Sequence, residues 1–258
     1  MDLGIQGKTA FVAASTGGLG LAVASALAGE GANLVITGRR GGEARRIAAE
    51  LPAAAIGVEA DLSTNGGLTA AVTAANARFG SVDILVLNGP GPDPGTAASL
   101  NGADMSSAFD LLLRPQHALV SSFLPGMRDR RWGRILAIGS SGVAAPLPNL
   151  ALSNIGRAAL AGYLKTLASE VASEDVTVNM LLPGRIATER THGLDRAAAR
   201  RRGVAIEVIE AESRASIPAR RYGSTEEFGA TAAFLCSGLA SYITGTALRC
   251  DGGLVRSL

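Results

Sequence analysis

The sequence of 258 residues predicts an α/β protein whose parallel sheet is doubly wound, with about seven strands and helices on both faces. Short apolar segments, many of them β-branched, alternate with longer Ala- and Leu-rich segments of helical period. The apolar segments are hydrophobic without interruption, which is typical of strands that are buried on both faces. No linker divides the chain, and we expect residues 1–258 to form a single domain.

Seven segments are predicted as strands because they are short, apolar and end in Gly, Asn, Asp or Pro: 8–14, 33–38, 54–62, 82–89, 133–140, 176–184 and 246–253. Six segments between them have helical period: 18–30, 42–51, 65–79, 103–130, 150–173 and 225–237. Right-handed crossovers then place ligands at the carboxyl ends of the strands. The segment of about 185–222 interrupts this alternation. We expect it to form a lid over a ligand crevice, or a surface helical insertion.

Composition narrows the possible classes of protein. Hydrophobic residues make up 47% of the chain, and a net charge of +2 gives no strong acidic or basic bias. The run Arg200–Arg202 is typical of a solvated helix face, so we expect no nucleic-acid partner. Neither a long apolar segment nor a signal peptide is present, which predicts a soluble cytoplasmic protein without membrane contact. Cys236 and Cys250 show no metal spacing and no disulfide framework, so we expect no metal.

The turn after the first predicted strand is suited to a dinucleotide phosphate. Residues 13–20 read AASTGGLG, and Gly18 and Gly20 lie where this strand turns into a helix. Glycine lets the backbone approach a pyrophosphate, and the start of a helix offers free N–H groups. Such a pattern alone has many false positives, but its place in the chain favours a Rossmann-type nucleotide site.

The end of the second predicted strand, TGRR, indicates which dinucleotide is bound. A protein that prefers NAD usually has an acidic residue here, which binds the ribose hydroxyls. This chain has Arg39 and Arg40, whose guanidinium groups suit a 2′-phosphate. The alternative is a pair of exposed arginines in a loop. We therefore predict NADP(H) as the cofactor.

Over essentially its full length the chain resembles the short-chain dehydrogenase/reductase family, and in particular its 3-oxoacyl reductases. The motifs come in the family's order: the glycine turn at 13–20 with Ala14 in place of its first glycine, Asp61 in EADL, Asn88 and Gly89 in VLNGPG, Ser140 at the end of the fifth strand, and PGRIAT at 183–188. The C-terminal run that begins STEEFGATAAFL and ends in a double glycine is also close to the family's pattern.

The resemblance implies the residues that contact the cofactor: Ser15, Thr16, Gly18, Leu19, Gly20, Arg39, Arg40, Asp61, Leu62, Asn88, Gly89, Arg157, Pro183, Gly184, Ile186 and Thr188. Asp61 matches the acidic residue that contacts adenine, and residues 183–188 match the stretch that meets the nicotinamide carboxamide and the phosphates. The resemblance also implies a homotetramer or homodimer, which forms through the helices at 103–130 and 150–173 and the C-terminal segment.

The catalytic positions depart from the family's pattern. The family has the motif YxxxK about a dozen residues after its serine, but here Ser153 lies 13 residues after Ser140, and Arg157 follows four residues later. None of the three tyrosines is followed by a lysine at the fourth position, so the motif is not displaced elsewhere. Leu112 stands where the family's helix asparagine is expected.

We expect Ser140, Ser153 and Arg157 to form the catalytic group. Ser153 and Arg157 face the same way because they are four residues apart on a predicted helix. Serine is a much weaker acid than tyrosine and arginine stays protonated, so neither replaces the family's proton relay. We expect both serines to donate hydrogen bonds to a carbonyl, and Arg157 to anchor the cofactor and support a developing oxyanion. The proton would come from water, from the substrate or from a lid residue.

Four further features are candidates for a role at the site. His192 titrates near neutrality and is the obvious proton donor in the lid; the alternative is a solvent-exposed histidine. His117 is expected to be a packing or interface residue. Arg185 would bind an acidic group of the substrate or form a surface ion pair. Three prolines would stiffen the loop after the fourth strand and shape substrate specificity, or merely form a rigid connection: Pro90, Pro92 and Pro94.

Three functions are compatible with this sequence. The first is an NADP(H)-dependent oxidoreductase that reduces a ketone or another carbonyl of a small organic substrate with a non-standard proton donor. The second is a catalytically silent member of the family that binds NADP(H) as a sensor or partner, and the third is an isomerase or dehydratase on the same fold. The retained cofactor motifs favour the first two. Polar Ser153 and cationic Arg157, in place of apolar side chains, favour activity.

Overall fold

The computed structural model describes residues 1–257 and confirms the predicted fold. Seven parallel strands form one sheet in the order β3-β2-β1-β4-β5-β6-β7. In chain order they are β1 (Thr9–Val12), β2 (Asn33–Gly38), β3 (Ala55–Glu59), β4 (Ile84–Leu87), β5 (Gly133–Ile138), β6 (Val176–Pro183) and β7 (Ala247–Cys250). The strand order reverses between β1 and β4, and a crevice for a ligand is expected there at the carboxyl ends of the strands.

Nine α-helices lie within residues 1–257: α1 (Gly18–Gly29), α2 (Gly41–Glu50), α3 (Asn65–Phe79), α4 (Gly102–Leu112), α5 (Arg114–Asp129), α6 (Ala151–Val171), α7 (Glu189–Arg202), α8 (Ile206–Ser216) and α9 (Thr225–Leu235). None of the helices in this described part is long and apolar enough to cross a membrane.

Hydrophobic cores lie on both faces of the sheet because neighbouring strand residues point to opposite sides. In β1, Ala10 and Val12 belong to the core that includes residues of α1, α2 and α9. Phe11, between them, belongs to the other core, which includes residues of α3, α5 and α6. The central strands β1, β4 and β5 are therefore buried on both faces, whereas β3 and β7 at the edges of the sheet are partly exposed.

The structure corrects the predicted helix at 103–130, which is two helices rather than one. Helix α4 ends at Leu112 and α5 begins at Arg114, with Pro115 at its start. Proline has no N–H to donate and its ring clashes with the carbonyl four residues earlier, so a single continuous helix is disfavoured at this point. A proline at the start of a new helix is compatible with helical geometry.

The segment 185–222, which was expected to form a lid or a surface helical insertion, contains α7 and α8. Thr188 caps the start of α7, where its side-chain oxygen accepts a hydrogen bond from the N–H of Thr191 at 3.3 Å. The helix ends at Gly203, which has a φ of +65°. The run Arg200–Arg202 forms the last turn of α7, where positive charge stabilises the carboxyl end of a helix.

Candidate active site

The turn between β1 and α1 is held in an unusual backbone conformation. Ala14 has a φ of +48°, in the left-handed region that favours glycine, and Gly18 has a φ of +55°. The N–H of Ala14 donates a hydrogen bond to Oγ1 of Thr37 at 3.1 Å, and its carbonyl oxygen accepts one from Nδ2 of Asn88 at 3.1 Å. These bonds to β2 and to the residue after β4 fix the conformation of Ala14.

Gly20 allows helix α1 to begin close to this turn. A Cβ on Gly20 would lie 2.6 Å from the carbonyl oxygen of Ala14 and 2.7 Å from Nδ2 of Asn88. Neither atom has room to retreat, because the two are hydrogen-bonded to each other. The glycine therefore brings the first turn of α1 up against the ends of β1 and β4.

A cavity of about 770 Å³ opens at the carboxyl ends of the strands. Its lining includes most of the residues that the sequence singled out: Thr16, Gly18, Leu19, Arg39, Asp61, Leu62, Asn88, Gly89, Ser140, Ser153, Arg157, Pro183, Gly184 and Thr188. Residues from at least five strand ends and from the middle of the chain thus meet in one place, and the volume lies within the range of small-molecule and cofactor sites.

Four predicted cofactor contacts lie outside this lining: Ser15, Gly20, Arg40 and Ile186. Ser15 is fully buried, and its Oγ donates to the carbonyl of Val12 at 2.7 Å and accepts from the N–H of Thr37 at 3.0 Å, so it joins β1 to β2. Ile186 is part of the hydrophobic core. Arg40 is exposed at the start of α2. The side chains of Ser15 and Ile186 therefore act in packing and that of Arg40 lies in solvent, while Gly20 serves the close approach of α1.

Two oppositely charged residues, Arg39 and Asp61, line the cavity next to the ends of β2 and β3. Oδ1 of Asp61 accepts hydrogen bonds from Oγ and N–H of Ser63, at 2.6 and 3.0 Å. These bonds, and to a smaller extent the charge of Arg39, lower the pKa of Asp61. The carboxylate is therefore ionised and oriented near the charge of Arg39, which forms no ion pair among residues 1–257.

Ser140, Ser153 and Arg157 come together in the middle of the cavity, as the sequence predicts. Ser140 follows β5, and its Oγ accepts a hydrogen bond from the N–H of Gly142 at 3.1 Å. On α6, Nε of Arg157 donates to Oγ of Ser153 at 3.3 Å, and Nη1 donates to the carbonyl of Ile138 at 3.0 Å. Each serine oxygen accepts a bond from a fixed donor, so each hydroxyl hydrogen is free to point towards a ligand.

Arg157 occupies a poorly solvated position. Burial, followed by the nearby charge of Arg190, lowers the pKa of Arg157 from 12.5 to about 10. Leu112, at the position expected for the family's helix asparagine, is buried and packs on α6: a Cβ on Gly156 would lie 2.7 Å from its Cδ1. Leu112 is not part of the cavity lining, to which α4 contributes Leu111 instead.

The histidine predictions have different outcomes. His192 is absent from the cavity lining; its Nδ1 lies 3.7 Å from Oε1 of Glu210 on α8, so the structure does not place it as a proton donor. His117 is exposed, and its ring centroid lies 5.4 Å from that of Tyr163, which confirms a packing position between α5 and α6.

Arg185 lines the cavity but is already paired. Its Nη1 donates to Oδ1 of Asp195 at 2.5 Å, and the other oxygen of this fully buried carboxylate accepts from the hydroxyl of Tyr222 at 2.8 Å. The triad joins the end of β6, helix α7 and the loop before α9. No local sequence pattern indicates this triad, because its members are 10 and 27 residues apart.

Of the three prolines in the loop after β4, only Pro90 lies in the cavity lining.

Several lining residues were not singled out from the sequence, and two of them, Arg190 and Gln116, carry polar groups that matter for the site. Arg190, in the first turn of α7, lies against Gly91, where a Cβ would collide with its guanidinium group. Gln116 is buried, and its Nε2 donates to the carbonyl of Asn88 at 3.3 Å while its Oε1 has no hydrogen-bond partner among the described residues. Arg190 follows the recognised Thr188 by two residues, whereas Gln116 lies within the predicted helix at 103–130, where no such motif was recognised. Only the tertiary fold brings both residues to the site.

The cavity fits a dinucleotide. Gly17 and Gly18 lie at the start of α1, whose first N–H groups have no side-chain cap and point to the lining. Gly20 lets this helix approach, and the orphaned Oε1 of Gln116 offers an acceptor at the other end. With the sheet order, this turn defines the class as a Rossmann-type dinucleotide-binding protein.

The comparisons with known proteins give the family. Residues 13–255 match the family model described as Enoyl-(Acyl carrier protein) reductase. The chain is 33% identical over 260 residues to the 3-oxoacyl-[acyl-carrier-protein] reductase FabG of Aquifex aeolicus, covering 98% of this chain and 100% of the relative. It is 30% identical to the NADPH-dependent reductase BacG of Bacillus subtilis, covering 97% and 99%. The protein belongs to the short-chain dehydrogenase/reductase family.

Solved structures agree with this assignment. The L-sorbose reductase of Gluconobacter frateurii, in a complex with NADPH and L-sorbose, superposes with a TM-score of 0.93 and 31% identity, covering 100% of both chains. YwfH, an NADPH-dependent reductase involved in bacilysin biosynthesis, gives a TM-score of 0.91 and 31% identity, covering 98% of this chain and 100% of that chain. The fold is thus shared from end to end with NADPH-dependent reductases.

Proposed function

We propose that the protein is an NADP(H)-dependent oxidoreductase that reduces the carbonyl group of a small organic substrate, with Ser153 and Arg157 in place of the family's tyrosine and lysine. The observation that carries this proposal is the meeting of Ser140, Ser153 and Arg157 in the same cavity as the glycine turn. The relatives named as NADPH-dependent reductases support the choice of cofactor.

The residues that would hold the cofactor form one continuous lining. The N–H groups at the start of α1 suit the pyrophosphate, Arg39 suits the 2′-phosphate, and Asp61 suits the adenine. Asn88, Pro183, Gly184 and Thr188 line the rest of the cavity. When bound, NADPH supplies the hydride. The segment 185–222 is proposed as the lid, because α7 contributes lining residues from above this end.

The two serines and Arg157 would polarise the carbonyl. Both serine oxygens accept bonds from fixed donors, which leaves both O–H groups to donate to one carbonyl oxygen. Arg157, tied to Ile138 and Ser153, would stabilise the negative charge that develops on that oxygen without having to move. Fixed donors of this kind need no reorganisation during the reaction, which is the basis of their effect.

The proton is proposed to come from water or from the substrate. No His, Cys, Tyr or Lys is present in the described lining of the cavity, and the side chain of Glu189 is 91% exposed. A solvent proton can reach an alkoxide through the open mouth. This lack of a general acid also supports the second candidate function, a catalytically silent protein that binds NADP(H).

Cofactor binding tests the first step of the proposal. NADPH is expected to bind at least tenfold more tightly than NADH in a fluorescence titration, and Arg39→Asp should reverse this preference. Arg40→Asp is the matched control, because Arg40 lies outside the lining and should have a smaller effect. Tighter binding of NADH to the unaltered protein would contradict the assignment of Arg39.

Turnover distinguishes the two candidate functions. Oxidation of NADPH at 340 nm across a panel of ketones and aldehydes is expected, and Ser153→Ala or Arg157→Ala should lower kcat by a factor on the order of 100, the usual effect of removing one oxyanion donor. If NADPH binds tightly but no carbonyl compound is reduced, the result supports the second candidate function, a catalytically silent protein that binds NADP(H). A rate that both variants leave unchanged would refute this site. Cytoplasmic location and a homodimer or homotetramer stay predictions from the sequence.

A further inference from the structure

Two arginines face the same cavity from opposite sides. Arg157 lies on α6, where Nε and Nη1 are used in bonds to Ser153 and Ile138, so Nη2 is left for a ligand. Arg190 lies in the first turn of α7 and covers the backbone of Gly91 in the loop after β4. Their charges interact, because Arg190 is one of the two causes that lower the pKa of Arg157.

No carboxylate within residues 1–257 forms an ion pair with either of these arginines. The neighbouring acids are engaged elsewhere: Asp195 binds Arg185 at 2.5 Å, and Glu189 lies 3.6 Å from Arg196. Arg157 is largely removed from solvent and Arg190 is exposed at the start of α7, so the charge of Arg190 adds to the cost of keeping Arg157 ionised unless an anion joins them. The fold therefore keeps an electrostatic arrangement that a negatively charged ligand would complete.

The surroundings of the two arginines restrict the ligand further. Arg190 and Thr188 lie at the start of α7, a helix of 14 residues whose dipole also favours an anion. The remaining wall is mostly apolar and is formed by residues from three segments of the chain: Leu111, Leu147, Pro148, Leu150 and Leu194. Such a wall suits a hydrocarbon group that carries one charged end.

We propose that the substrate carries a carboxylate, which Arg190 and Arg157 hold next to Ser140 and Ser153, with the apolar wall around the rest of the molecule. The proposal rests on the proposed function for the reaction, but the anion site itself is defined by the two guanidinium groups. Arg190 is the specificity-determining residue, and its contact with Gly91 places its charge over the cavity mouth.

Matched acids and esters test the anion site directly. The probes are benzoylformate and levulinate, each compared with its methyl ester by calorimetry, without cofactor and with saturating NADP⁺. The acids are expected to bind at least tenfold more tightly than the esters. Arg190→Gln should reduce this ratio to about one, whereas Arg201→Gln, an equal loss of charge at an exposed residue on the same helix, should leave it unchanged.

Arg190 could instead bind a phosphate of the cofactor, and the same variants decide between the two ligands. Arg190→Gln is expected to leave the Kd of NADPH within twofold of the unaltered protein. The proposal is overturned if neither acid binds more tightly than its ester, or if Arg190→Gln weakens NADPH as much as it weakens the acids. Acids that bind through Arg190 without any oxidation of NADPH would uphold the anion site and remove the proposed reductase function. If neutral ketones are reduced as fast as keto acids, the reductase function is upheld and the anion site is not what selects the substrate.

Discussion

Replacing Ala14 by glycine is expected to stabilise the protein. Ala14 has a φ of +48°, and its N–H and carbonyl groups are fixed there by Thr37 and Asn88. In this left-handed region the Cβ of an L-residue lies too close to its own backbone, which costs roughly 1–2 kcal/mol. Glycine has no Cβ and avoids this cost, while the two hydrogen bonds can form unchanged.

The net effect is smaller than the strain, because glycine loses more chain entropy on folding, by about 0.5–1 kcal/mol. The methyl group of Ala14 is only partly buried, so its removal creates no cavity. We therefore expect Ala14→Gly to raise the free energy of unfolding by about 0.5–1 kcal/mol. For a chain of this size that corresponds to a rise in Tm of roughly 1–4 °C.

Urea unfolding followed by circular dichroism measures this change, and NADPH titration checks that the turn keeps its shape. The matched control is Ala10→Gly in β1, where the alanine is fully buried and does not have a positive φ. This control should lose stability. If Ala14→Gly is destabilised as much as Ala10→Gly, the strain assigned to the turn does not exist. An NADPH affinity within twofold of the unaltered protein is expected.

Three further substitutions probe the site and its supports. Gly20→Ala places a methyl group 2.7 Å from Nδ2 of Asn88, so we expect a loss of about 1–3 kcal/mol in urea unfolding and at least tenfold weaker NADPH binding by fluorescence. Asp195→Asn removes the buried partner of Arg185, at 2.5 Å, and should cost about 2–4 kcal/mol and speed proteolysis of α7. Arg157→Met should stabilise the fold by about 1 kcal/mol in urea unfolding while abolishing turnover. Burial, followed by the charge of Arg190, lowers the pKa of Arg157 to about 10, which corresponds to a cost of about 3 kcal/mol; two lost hydrogen bonds of about 1 kcal/mol each offset most of the gain.

Each of these variants has its own control. Gly29→Ala at the end of α1 meets no atom within 4 Å and should leave NADPH binding unchanged. Tyr222→Phe removes only one hydrogen bond to Asp195 and should cost about 1 kcal/mol. The gain from Arg157→Met should be constant between pH 6 and 9, because in that range the arginine is protonated in both the folded and the unfolded chain. A variant less stable than the unaltered protein would refute the burial cost.

Sequence patterns predicted the sheet and its two covered faces, and most of the site residues that they singled out lie in the cavity lining. The strands are short and apolar and the glycine turn lies between a strand and a helix, and both are local features that need no distant partner. The break between α4 and α5 also has a local cause, Pro115, but it was not predicted because the sequence has helical period on both sides of the proline. Ser140, Ser153 and Arg157 were found because their spacing along the chain is preserved.

Only the tertiary structure decided which charges are neutralised. Arg185 and Arg190 are five residues apart and equally cationic in the sequence, yet one is bound by Asp195 and the other faces the cavity against Gly91. Likewise, Ser15 joins two strands while its neighbour Thr16 lines the site. Helical and strand periods are set by neighbours along the chain and can be predicted from it. The ion pairs, close contacts and burial that define the site depend on segments brought together by the sheet, so no local pattern contains them.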